Sequence, residues 1–132
     1  MQAAIAQAKK AQSLGEVPVG AVIVKDGKII ARGYNRPIKN YDPSAHAEIV
    51  AIRAAGKKIK NYRLTDCEIY VTIEPCAMCR DAIRQARIKK IIYGADDADI
   101  AKKQKRRIET TSGVLKNECS SLIKNFFASK RK

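Results

Sequence analysis

Four residues have the types and spacing to hold a metal and move protons: His46, Glu48, Cys76 and Cys79. His46 is the only histidine, in His46-Ala47-Glu48, and the thiols stand in Pro75-Cys76-Ala77-Met78-Cys79. One helical turn separates Cys76 from Cys79, so on a helix both sulfurs project to one side, within reach of one tetrahedral ion. Cysteine must lose its proton to bind zinc, and the positive end of a helix lowers a thiol's pKa. Two thiolates and one imidazole make three protein ligands, one short of a closed structural zinc site. The open position takes water, whose pKa zinc lowers toward neutrality, and this yields a hydroxide nucleophile. Glu48 follows the histidine by two residues, an offset that on a regular helix points it to another face and argues against a fourth ligand. In a first turn it can still lean over the helix end and relay a proton from that water. The pattern predicts one Zn2+ per chain, with Glu48 as the catalytic carboxylate.

Each motif has a plainer reading. Glu48 alone would be a partner of a helix dipole. Cys76 and Cys79 alone fit a thioredoxin-type redox pair, which explains neither His46-Ala47-Glu48 nor Pro75. Cys67 or Cys119 would close the metal site as a fourth ligand, but neither lies near another ligand in sequence. Both sit in apolar stretches and read as small core residues.

The elements that must position these side chains follow from pattern. Residues 2–14 have apolar positions at helical spacing and stop at Gly15. A β-branched run from Val17 to Lys25, the turn Asp26-Gly27, and Lys28 to Tyr34 form a hairpin. Residues 33–44 have loop composition, and Asp42-Pro43 predicts a helix from about Ser44 to Ala55. A basic connection, 56–66, leads to a buried strand over Cys67 to Ile73. Pro75 opens a short helix to about Arg87, so both chemical motifs sit at helix N-termini. Strands over Ile88 to Tyr93 and Ile108 to Thr111 and a helix over Val114 to Ala128 complete the chain, with 95–107 unassigned. Helices alternating with about five strands predict an α/β fold, a mixed sheet between helices, in one domain over 1–132.

Composition sets the class. The chain has 132 residues, 45% hydrophobic and 30% charged, which is an ordinary globular balance. No apolar run is long enough to span a bilayer, and residues 1–11 lack the pattern of a secretory signal, so a cytoplasmic protein without membrane contact is expected. Lys and Arg number 27 against 13 Asp and Glu, a formal charge of +14. The basic residues cluster at 57–60, 102–107 and 130–132, which favours a polyanionic partner over a merely solvated surface.

The combination of His46-Ala47-Glu48 with Pro75-Cys76-Ala77-Met78-Cys79 matches the signature of zinc nucleobase deaminases. With Glu16-Val17-Pro18-Val19-Gly20-Ala21-Val22, Gly33-Tyr34-Asn35-Arg36-Pro37, Asp42-Pro43-Ser44-Ala45 and Val71-Thr72-Ile73-Glu74, the chain resembles the bacterial tRNA-specific adenosine deaminases. That resemblance implies a three-layer α/β/α cytidine-deaminase-like fold, a homodimer, and hydrolysis of the wobble adenosine in a tRNA anticodon stem-loop to inosine. It further implies substrate contacts at Asn35, Ala47 and Asp97, where Asn35 read alone is also explained by loop geometry. The chain departs from the family between Asp97 and Gly113, where a shorter basic stretch replaces a Gly- and Ser-containing segment, a proline and an Asn-His pair. Deamination of a free base or nucleoside, or RNA binding without catalysis, are the competing functions.

Overall fold

The computed structural model of the chain describes residues 1–98 and 108–130. In chain order the elements are α1 (Gln2–Ser13), β1 (Gly20–Lys25), β2 (Lys28–Tyr34), α2 (Pro37–Asn40), α3 (Ala47–Ile59), β3 (Cys67–Ile73), α4 (Ala77–Gln85), β4 (Lys90–Ala95), β5 (Glu109–Thr111) and α5 (Lys116–Lys130). The expected basic run at 102–107 and the end of the one at 130–132 lie outside the described residues.

One five-stranded sheet runs in the order β2-β1-β3-β4-β5. β1 is antiparallel to β2 and β3, while β3, β4 and β5 are parallel. The sheet is therefore mixed, as expected. Asp26 and Gly27 close the hairpin with φ of 52° and 75°, the positive pair that a type I′ turn needs.

The helices form two outer layers. α1 packs on β1 and β2 and meets α5, which covers β4 and β3. α3 packs on β2 and β1 and meets α4. Register shows that these layers lie on opposite faces. Gly33 pairs with Ala21, one position along from the Gly20–Tyr34 pair, so the side-chain directions at Gly33 and Gly20 oppose each other. A Cβ on Gly20 would strike α1 at Ala4 and Ala8, and one on Gly33 would strike the backbone of α3 at Ala47 and Ala51. Glycine at position 33 thus lets α3 descend onto β2 and fixes where its first turn stands. Between the layers, Ile23, Leu64, Ile69, Val71, Ile83 and Ile91 are fully buried, each contributing roughly 1.5–3 kcal/mol.

The first turn of α3 departs from expectation. The helix starts at Ala47 rather than Ser44 because residues 42–45 make their own turn. Asp42 accepts hydrogen bonds from the Ser44 N–H (2.9 Å) and hydroxyl (2.7 Å), which hold its carboxyl below the usual range. The Ala45 carbonyl accepts from the Arg36 N–H at 2.9 Å, and the Ala45 N–H donates to the Asp42 carbonyl at 3.1 Å. At the other end α3 runs through Gly56 to Ile59, where Lys60 ends it in a left-handed conformation.

Candidate active site

The strand directions gather one edge of the sheet into a site. The C-terminal ends of β2, β3 and β4 and the start of β1 share that edge, and α3 and α4 begin there. His46 is the N-cap residue of α3 and Cys76 that of α4. Their extended backbones are nearly alike, with φ and ψ of −69° and 155° at His46 and −70° and 173° at Cys76. Neither side chain is spent on capping its own helix, so both are available to a shared ion. Cys79 is the third residue of α4, on the turn that places it beside its N-cap.

His46 Nδ1 lies 3.7 Å from Cys76 Sγ and 3.4 Å from Cys79 Sγ. A tetrahedral zinc with ordinary Zn–S and Zn–N bonds separates such atoms by about 3.5 Å. The three residues thus fit zinc, and all their ligand atoms lie within 4.8 Å of one another. The expectation that a helix end would lower both thiols is not met at Cys79. Burial first, then the Glu48 carboxylate and Cys76, push that thiol well up. A divalent cation between the sulfurs reverses this balance, because it favours thiolate over thiol.

Glu48 is the second residue of α3 and is buried, with 3% exposure. Burial raises its pKa, opposed by its own backbone N–H, Cys79 and His46. The carboxyl faces a cavity of about 300 Å³ whose lining also includes His46, Cys76, Asn35 and Asp97. That volume suits a small planar ligand. Asn35 Oδ1 accepts from the Ala47 N–H at 2.8 Å, so the asparagine occupies the first turn of α3 while lining the cavity. Ala47 is wholly buried and does not line the cavity, and its N–H is the one that Asn35 holds.

Several lining residues escaped sequence reasoning. Val17, Val19 and Ile73 make apolar wall, as do Ile123 and Phe127, whose spacing of four on α5 was the available signal. Glu74 lines the cavity and ties Asp97 to α4: its Oε1 accepts from the Asp97 N–H at 3.2 Å, and its Oε2 pairs with Arg80 at 3.3 Å. Cys67 and Cys119 are buried, at 0% and 1%, and belong to the core rather than to the metal cluster. The exposed Lys57, Lys58 and Lys60 stand at the far end of α3 from His46. Among the described residues, no helix is long and apolar enough to cross a membrane.

Comparison with known proteins agrees with this geometry. Residues 1–95 match the model of the cytidine and deoxycytidylate deaminase zinc-binding region. A tRNA-specific adenosine deaminase of Haemophilus influenzae is 45% identical over 99% of this chain and 83% of its own length. A solved tRNA:A34 deaminase, described in a study of A-to-I editing at the wobble position, superposes with a TM-score of 0.87 at 37% identity, covering 92% of this chain and 96% of that one. Guanine deaminase from Bacillus subtilis is 46% identical over 74% of this chain and 63% of its own, with a TM-score of 0.70. With its fold, its His-Cys-Cys cluster and these relatives together, the chain belongs to the zinc-binding cytidine and deoxycytidylate deaminase family, in the branch of the tRNA-specific adenosine deaminases.

Proposed function

We propose that this chain hydrolyses the wobble adenosine of a tRNA to inosine, releasing ammonia. The observation that carries the reading is a buried carboxylate, Glu48, on the same cavity wall as His46 and Cys76. Zinc, when bound by His46, Cys76 and Cys79, supplies a water nucleophile at neutral pH by lowering that water's pKa. Glu48 takes the proton from the attacking water and delivers it to the ring nitrogen beside the reacting carbon. Glu48 then takes the remaining proton from the added hydroxyl and passes it to the exocyclic amine as the C–N bond breaks, which leaves the carbonyl of inosine and ammonia. Asn35 holds the edge of the base, oriented by its bond to the Ala47 N–H, and Asp97, tied to Glu74, lines the same cavity. The aliphatic residues Val17, Val19, Ile73 and Ile123 flank the ring and keep bulk water out.

The polyanionic substrate accords with the charge of +14 and with the names of the relatives. On the same kinship, the working unit is a cytoplasmic homodimer of single-domain chains. The test is mass spectrometry of an anticodon stem-loop carrying adenosine at the wobble position. Inosine at that position is the expected product. Turnover of free guanine with an unchanged stem-loop would assign the site to free bases instead, the second reading that the kinship with guanine deaminase raises.

A further inference from the structure

The turn after Asn35 holds apolar side chains out to solvent beside the cavity. Tyr41 is 95% exposed and Ile38 is 70% exposed, yet the backbone beneath them is pinned. Glu16, a buried acid, accepts from the N–H groups of Ile38 (3.2 Å) and Lys39 (2.8 Å). The Tyr41 N–H donates to the Ile38 carbonyl, and the Asp42 N–H to that of Pro37. Tyr41 itself is left-handed, at φ 49°, a region unfavourable for an aromatic residue. A buried carboxylate and a strained backbone are thus committed to presenting a tyrosine that touches nothing of the core.

The place of the turn is also informative. Its neck, where the Arg36 N–H meets the Ala45 carbonyl, lies between Asn35 and His46, and both of those line the cavity. Glu16 precedes Val17, another lining residue. The surroundings are cationic. Arg36 and Lys10 approach the Tyr34 ring at 4.9 and 5.3 Å, and Lys39 is exposed on the turn itself. The two acids nearby are already engaged: Glu16 by backbone N–H groups, and Asp42 by Ser44 and Arg53. An exposed ring on a turn that carries Lys39 and is entered through Arg36 suits an unpaired nucleotide, with the ring taking the base and the cations its phosphates.

We propose that Tyr41, backed by Ile38, is a stacking platform for an unpaired RNA base flanking the reacting one, and so helps set which position enters the cavity. This rests on the RNA-substrate reading above. The chain has no tryptophan, so Y41W introduces a single tryptophan, whose emission is separable from that of the tyrosines, at the platform. Titrating Y41W with the anticodon stem-loop should quench its emission as the complex saturates. Y41A should raise KM for the stem-loop about tenfold, within the range that base–aromatic stacking supplies. Its kcat, zinc content and Tm should stay as in the unaltered chain, because the side chain is exposed, and Y41F should restore KM. An unaltered chain active on the stem-loop, with Y41A showing the same KM or Y41W no quenching, overturns the proposal. A Y41A variant changed only in self-association would assign the tyrosine to a protein contact and also overturn it. An unaltered chain that neither binds nor deaminates the stem-loop removes the RNA reading and this proposal with it.

Discussion

Two pairs of cysteines share this chain, and their surroundings give them opposite work. Cys76 and Cys79 stand at the start of α4, just beyond the end of β3, and His46 faces them from the first turn of α3. Cys67 and Cys119 lie inside, the one opening β3 in the main core and the other on α5 beneath β4. Burial raises both core thiols, and among the described residues neither belongs to a cluster of metal ligands. Cys119 packs so closely under β4 that a Cβ at Gly94 would come within 2.4 Å of its sulfur. Burial is therefore not what separates the pairs, since Cys79 is as buried as Cys67. What separates them is a second chain segment that arrives with an imidazole and a carboxylate.

The largest expected effect comes from breaking the first pair. Cys76→Ser should empty the site of zinc and lower turnover by more than roughly a thousandfold, because the activated nucleophile is lost. Metal content by atomic absorption, beside inosine yield, checks it. Cys67→Ala and Cys119→Ala should both keep zinc in full. Next comes the carboxylate that distinguishes a reactive site from a merely structural one. Glu48→Gln preserves shape and should retain zinc while turnover drops by about two to four orders of magnitude. Unchanged activity would remove Glu48 from proton transfer.

A third expectation concerns the polyanionic substrate that the charge of +14 favours. Stem-loop affinity should fall at least about tenfold between roughly 50 and 200 mM salt, as released counterions require. A flat response, read by fluorescence anisotropy, would reduce the basic runs to solvated faces. On the core side, Gly94→Ala should cost about 1–3 kcal/mol of stability by overpacking against Cys119 and the Thr72 carbonyl, with zinc content unaltered. Urea unfolding measures it. The smallest effect is in pH. Cys67 and Cys119 have folded pKa values above the ordinary 9.0, so each stays neutral while the unfolded chain ionises. Their contribution is full below pH 9 and declines as pH rises past it. Replacing both by alanine should flatten stability in that range.

Much of this contrast was legible in the sequence, for identifiable reasons. Pro75 stands immediately before Cys76, the N-cap of α4, so that helix start was readable, whereas Pro43 lies in the turn that precedes α3. The strand over Cys67 to Ile73 was readable to the residue because β-branched and apolar residues run between Asp66 and Glu74. The start of α3 was placed three residues early, because Asp42 looks like a cap in sequence. Its side chain instead closes a turn on Ser44 two residues on, a choice that depends on where Ala45 is pinned by Arg36. The spacing of Ile123 and Phe127 marked one face of a helix, but nothing local tells a helix near the C-terminus which strand ends it will cover. Glu74 was present in the motif, but its bridge from Asp97 to Arg80 exists only once β3 and β4 lie parallel.

The most direct test of the account is to strip the metal and add zinc back stepwise, following inosine in the anticodon stem-loop by mass spectrometry. The stripped chain should give no product, and product should rise linearly with added zinc and level off at one zinc per chain. Product formed without metal, or a rise ending at another ratio, would contradict a single centre made by His46, Cys76 and Cys79.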